Sequence, residues 1–241
     1  MKINTDNLKG KCAFISGATG GIGKAIAMTL AEQGCDLFLT STTNHSLQLV
    51  VESLQKYNVR IVSHSGDLSN IKEIYNIIKY ANKNFKGIDI LINSAGIFPN
   101  DKLFMIDDEA YSKVMDINFR SAFLFTREFS KYMSNEKWGR IVNIGSSSAY
   151  SGFGGTSLYC ATKHALLGFS RSIHDELKEF NVRCYYISPS STQSKMGRMT
   201  KGQDYDTFLH PTDIAKYVVF SISFDSNLVS EEIFLKRMLI R

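Results

Sequence analysis

Two side chains four positions apart, Tyr159 and Lys163 in Tyr159-Cys160-Ala161-Thr162-Lys163, carry the clearest chemistry in this chain of 241 residues. Ser146 stands upstream in Ile144-Gly145-Ser146. On a helix, residues four apart share one face on adjacent turns, so a phenol lies beside an ammonium. Free tyrosine ionises near pH ~10 and lysine near ~10.4. A fixed cation stabilises phenolate and is expected to lower the tyrosine pKa. A phenol tuned in this way gives a proton to a carbonyl oxygen or takes one from an alcohol. That is half of a carbonyl reduction, and the other half needs a hydride donor.

A place for such a donor is written near the start of the chain. Lys11-Cys12-Ala13-Phe14-Ile15-Ser16 reads as an apolar strand, Gly17-Ala18-Thr19-Gly20-Gly21-Ile22-Gly23 as a turn, and Lys24 to Leu30 as a helix. Strand, glycine-rich turn and helix N-terminus together form a pyrophosphate site. Gly17 permits the tight turn, Gly21 lets backbone approach phosphate, and Gly23 lets the helix pack closely on the sheet. Three residues separate Gly17 from Gly21, unlike the ordinary G-x-G-x-x-G form. A plain strand-to-helix turn would also use glycines.

Positioning these groups requires a regular scaffold. Apolar runs predict strands at Cys12–Ser16, Asp36–Thr40, Arg60–Ser65, Ile88–Asn93, Arg140–Gly145, Arg183–Ser188 and Glu232–Leu235. Helical patterns predict Ile22–Gln33, Ser46–Tyr57, Ile71–Asn84, Asp108–Ser134, Leu158–Phe180 and Thr212–Phe224. Alternation of this kind implies an α/β fold, a doubly wound parallel sheet of about seven strands with helices on both faces. Ligands bind beyond the carboxyl ends of such strands, which is where Gly17, Asn93 and Ser146 fall. The length suits one dinucleotide-binding domain spanning 1–241. The polar stretch Ser190–His210 is the candidate lid.

Composition narrows the class. Apolar residues make up 44% of the chain, enough for a substantial core, and no apolar run reaches a membrane span. The opening residues show no signal-peptide core. Cys12, Cys35, Cys160 and Cys184 show neither a C-x-x-C pair nor metal spacing, so buried free thiols and a cytoplasmic setting are expected. Net charge is +5, but the basic residues are scattered rather than striped, which argues against nucleic acid. A mild positive field suits an anionic dinucleotide or substrate.

Taken together, Ser16-Gly17-x-x-x-Gly21-Ile22-Gly23, Asn93-Ser94-Ala95-Gly96, Asn118, Ser146 and Tyr159-x-x-x-Lys163 resemble the short-chain dehydrogenase/reductase family, in its order and over nearly the whole chain. The 13 positions from Ser146 to Tyr159 match bacterial 3-oxoacyl reductases of that family. The resemblance implies a Rossmann fold, with Tyr159 as general acid/base and Lys163 lowering its pKa and bonding the nicotinamide ribose. Ser146 would bond the substrate carbonyl, and Asn118 would hold a water linking Lys163 to solvent. Asn118 could instead be a satisfied polar core residue, since asparagine is a poor interior helix residue. It further implies cofactor contacts from Gly17, Thr19, Gly21, Ile22, Gly23, Ser41, Thr42, Asp67, Leu68, Asn93, Ala95, Gly96, Pro189, Thr192 and Ser194. Asn93 could equally tie strands together, and Asp67 could cap the next helix, a task better suited to Ser69 or Asn70.

NAD-using relatives place a carboxylate after the second strand, where this chain has Ser41. Without that acid NADP(H) is favoured over NAD(H), although Gly20 replaces the arginine many NADP-using relatives carry. Lys24 and His45 are the nearby cations. Three further departures stand out: Gly145 where relatives often carry serine, Pro189-Ser190 in place of Pro-Gly, and a tail without Gly-Gly. A substrate pocket is expected from Phe98, Ser148, Tyr150, Phe153, Met196 and Met199. A 3-oxoacyl thioester is the leading substrate, with a small ketone or sugar-derived ketone as alternatives. A catalytically silent nucleotide sensor and a sugar-nucleotide epimerase are the competing classes, the latter weakened because only about 50 residues follow Pro189. The resemblance implies a homotetramer or homodimer built through the two long helices.

Overall fold

The computed structural model describes residues 6–200 and 202–239. Seven strands, β1 (Cys12–Ser16), β2 (Asp36–Ser41), β3 (Ile61–Ser65), β4 (Ile90–Asn93), β5 (Gly139–Ile144), β6 (Val182–Pro189) and β7 (Glu232–Leu235), form one sheet. Every neighbouring pair is parallel, in the order β3-β2-β1-β4-β5-β6-β7. The order reverses at β1, which lies between β2 and β4. Helices α1 (Gly21–Glu32), α2 (Asn44–Leu54), α3 (Ile71–Asn84), α4 (Asp108–Met115), α5 (Ser121–Asn135), α6 (Ser157–Leu177) and α7 (Pro211–Ile222) make the crossovers.

Strand side chains alternate between faces, and the two faces feed separate cores. Ala13 and Ile15 point into a core shared with Ile26 and Leu30 of α1 and Val218 and Ile222 of α7. Cys12 and Phe14 point the other way, toward Ile74 and Ile77 of α3 and Phe125 and Phe129 of α5. The Phe14 ring lies 4.7 Å from that of Phe125 and 4.8 Å from that of Phe129. Burial on both faces is why β1 is continuously apolar. All four cysteines are free and buried. Among the described residues, no helix is long and apolar enough to cross a membrane.

The expected helix Asp108–Ser134 is interrupted. Asp116–Arg120 forms a π-helical turn between α4 and α5. Its centre is Asn118, whose side chain is buried and bonded to other segments rather than to its own helix. A π turn inserts one residue and re-aims the helix beyond it. The described residues of the stretch Ser190–His210, which leave out Lys201, also carry more regular structure than their polarity suggests. They contain short 3₁₀ turns at Gly197–Met199 and Tyr205–Thr207 and a bridge pairing Thr192 with Leu209.

Candidate active site

The point of strand reversal is closed by backbone and one hydroxyl. Gly17 adopts φ +66, and a Cβ there would sit 2.8 Å from Ala95 Cα. Ser16 Oγ accepts from the backbone N–H groups of Ser94 (3.2 Å) and Ala95 (3.3 Å), fixing the segment after β4 against that after β1. A Cβ on Gly23 would lie 2.3 Å from the Gly17 carbonyl oxygen. The first turn of α1 has neither a capping side chain nor an acid. Its free N–H groups and positive end therefore face whatever anion lies over Gly20 and Gly21.

Tyr159 and Lys163 project from the first turns of α6. They are 6% and 5% exposed. Lys163 Nζ donates to the Ile144 carbonyl oxygen at 2.8 Å and lies 5.7 Å from the centroid of the Tyr159 ring. Phe98 meets that ring edge-on at 4.7 Å. Ser146 follows β5, and its Oγ accepts from Ser148 N–H at 3.1 Å.

Electrostatics here depart from the expectation that the lysine acidifies its neighbour. Burial pushes the Tyr159 phenol up to about 12, and a hydrogen bond with the Ser146 hydroxyl opposes this without cancelling it. Burial also pushes the Lys163 ammonium down to about 8. Desolvation disfavours charge on both groups, and their separation leaves too little attraction to reverse it.

Beneath them lies a pair of residues, of which only Gly145 stood out in the sequence. Tyr186 is wholly buried and its hydroxyl donates to the Lys163 carbonyl oxygen at 3.1 Å. A Cβ on Gly145 would fall 2.1 Å from Tyr186 Cζ. The glycine at 145 is thus the space in which the phenol ring sits.

A cleft of about 1240 Å³ runs across the carboxyl ends of the strands. Its wall brings together Gly17, Thr19, Gly21, Ile22, Ser41, Thr42, Asp67, Leu68, Ala95, Gly96, Ser146, Tyr159, Lys163, Pro189, Thr192 and Ser194. Phe98, Ser148, Phe153, Met196 and Met199 line the other end. Thr19 and Ser41 hydroxyls are 2.6 Å apart at the end of the cleft beside β2. Asp67 accepts from Ser69 N–H (2.9 Å) and its hydroxyl (2.8 Å), which hold its carboxyl below the usual range, while Asn70 caps α3.

Several expected residues lie elsewhere. Asn93 is buried behind the wall, its Nδ2 donating to Asn143 Oδ1 at 2.8 Å and Thr126 Oγ1 at 3.3 Å, so it ties strands together. Gly23 contributes packing rather than wall. Asn118 uses its side chain to clamp Ile97, accepting from its N–H at 2.8 Å and donating to its carbonyl at 2.9 Å, and also donates to Thr162 Oγ1 at 3.2 Å. Tyr150, expected at the substrate wall, is turned away. Its hydroxyl donates to Glu232 at 2.9 Å and its ring packs on Phe234 at 5.2 Å. Lys24 and His45 are not in the wall. Asn100, Gln203, Phe234, Lys236 and Arg237 are in the wall and were not expected there. The missing Gly-Gly was the only sequence sign that the tail differs.

A family profile described as short chain dehydrogenase matches residues 11–204. The chain belongs to this family. It is an oxidoreductase of the class acting on CH–OH and C=O groups, with a fold for a nicotinamide dinucleotide. It is 31% identical over 241 residues to 2,3-dihydro-2,3-dihydroxybenzoate dehydrogenase of Bacillus subtilis (strain 168), covering 92% of each chain. It is 32% identical over 244 residues to a 3-oxoacyl-acyl-carrier-protein reductase of Aquifex aeolicus (strain VF5), covering 94% of this chain and 95% of that one. Among solved structures, a metagenomic short-chain oxidoreductase in complex with NADP superposes with a TM-score of 0.85 at 25% identity, covering 96% of this chain and 99% of that one.

Proposed function

We propose that this short-chain dehydrogenase is an NADP(H)-dependent oxidoreductase that interconverts a carbonyl and a secondary alcohol. The observation that carries the reading is one cleft holding both the uncapped N-terminus of α1 and the Ser146–Tyr159 pair, with the Tyr159 ring buried. The dinucleotide, when bound, supplies the hydride. The chain's own residues supply the proton and the geometry.

The first turn of α1 receives the pyrophosphate, with Ser194 packed beside Gly21 and Thr192 nearby in the wall. Thr19, Ser41 and Thr42 offer hydroxyls at the adenosine end where an NAD-selective carboxylate would stand, which favours the 2′-phosphate of NADP. Ser146 donates to the substrate oxygen and holds it against the Tyr159 hydroxyl. At neutral pH a phenol with a pKa near 12 keeps its proton, so Tyr159 is set to give one to a carbonyl oxygen. Lys163 holds the end of β5 through the Ile144 carbonyl oxygen and stands ready for the ribose hydroxyls. Asn118 fixes the Ile97 backbone on the opposite wall. The segment 190–210 acts as a lid.

The relatives support two substrate classes, 3-oxoacyl thioesters and a dihydrodiol acid, and a cleft of about 1240 Å³ admits either. The described faces of α4 and α5 expose Tyr111 and Phe123, which suits a homodimer or homotetramer, to be read by sedimentation. The test of function is NADPH consumption at 340 nm over a panel of ketones and 3-oxoacyl thioesters. Tyr159→Phe should lower kcat by about a hundredfold or more while NADPH still binds. Normal turnover by that variant overturns the assignment.

A further inference from the structure

The two ends of the cleft carry opposite charge. Sheet order puts the ends of β3 and β7 at opposite edges. Asp67, after β3, is the one carboxylate in the described wall, and Ser69 already engages it. Beyond β7 the wall is formed by Lys236 and Arg237. Among the described residues neither forms an ion pair.

Arg237 is built into place by neutral partners. Its Nη1 donates to Thr207 Oγ1 at 3.1 Å and its Nη2 to Gln203 Oε1 at 2.7 Å. The guanidinium lies 4.9 Å over the Phe208 ring. Its backbone N–H donates to Ser190 Oγ at 3.2 Å. Nε is buried with no hydrogen-bond partner. A buried donor left unpaired is costly, and a guanidinium recovers most when it meets a planar oxyanion. Two of the three departures from the family pattern, Ser190 and the tail, thus meet at one contact that holds a charge at the substrate end.

We propose that Arg237, with Lys236 beside it, receives a carboxylate on the substrate, so the cleft takes a free keto acid or hydroxy acid in preference to its thioester. This rests on the carbonyl/alcohol reading of the same cleft. Ser146 follows β5 and Arg237 follows β7, two strand spacings away, or roughly 10 Å. The carboxylate therefore sits several bonds from the reacting carbon.

The test is calorimetric titration of hexanoate and of its uncharged amide, hexanamide, into the full chain, with and without NADPH. Wild type should bind hexanoate about tenfold or more tighter than hexanamide, as a charge-assisted contact requires. In Arg237→Gln that ratio should collapse toward one. Arg237→Lys should keep part of it, which separates lost charge from a loosened lid. Equal binding of the two probes by wild type, no hexanoate binding, or an unchanged ratio in Arg237→Gln overturns the proposal. Inorganic phosphate binding where hexanoate does not also overturns it. Failure to bind NADPH sinks the carbonyl/alcohol reading instead, and the titration without NADPH still decides the role of Arg237.

Discussion

The floor of the cleft and its rim are made differently. At the floor, Tyr159 and Lys163 are almost fully enclosed and rest on Tyr186, which is wholly buried. At the rim, Phe153, Met199 and Phe234 are 56%, 50% and 40% exposed. Burial controls chemistry at the floor, because desolvation moves both ionisable groups toward their neutral forms. The rim instead contributes fixed charge and shape, through a tail clamped to the segment 203–208. On the proposed reading the floor sets which reaction is done, and the rim sets which molecule it is done to.

The strongest challenge to this contrast removes the buried ammonium. The Lys163 pKa lies below its unfolded value, so the fold disfavours the charged form. That penalty is complete below about pH 8 and fades as pH rises toward the unfolded value, ~10.4. Lys163→Met escapes it. The stability advantage of Lys163→Met over wild type in urea unfolding should therefore shrink by about 3 kcal/mol between those limits. A difference that is flat with pH would mean that Lys163 is not desolvated.

Gly145→Ser should destabilise by about 2–3 kcal/mol through overpacking against Tyr186. Combined with Tyr186→Ala, the loss should be smaller than the sum of the two single losses. Additive losses would separate the two positions. Asn118→Ala leaves the Ile97 N–H and carbonyl unpartnered and should cost about 1–3 kcal/mol by denaturant unfolding. At the rim, Ser190→Ala removes one acceptor and should cost about 1 kcal/mol, seen as a drop in Tm of about 2–4 °C. A rim substitution that costs more than the floor substitutions would reverse the contrast.

Much of the fold was legible in the sequence. Ile71–Asn84 is helical over the expected span, and β1 and β7 have the expected bounds. β1 carries a continuous apolar run ending at Gly17, and α3 opens on a capping asparagine, Asn70. The π turn was not legible, because the demand for it comes from Ile97, 21 positions away from Asn118. The choice between the two roles open to Asn93, and the place of Tyr150, were hidden for a related reason. Each sits beside the cleft in sequence, but its side chain turns to partners distant in the chain, Asn143 and Glu232. Gly145 looked like an idle departure until Tyr186 filled its space. The acidity of Tyr159 was misjudged because spacing reveals a neighbour's charge but not the depth of burial.

The state of the Tyr159 proton is the central claim, and ultraviolet difference titration of the ligand-free protein reads it directly. Wild type minus Tyr159→Phe should show no phenolate signal until well above pH 10 (the burial-raised value is about 12). A tyrosinate appearing between about pH 6 and 8 in wild type, and absent from Tyr159→Phe, would contradict the account.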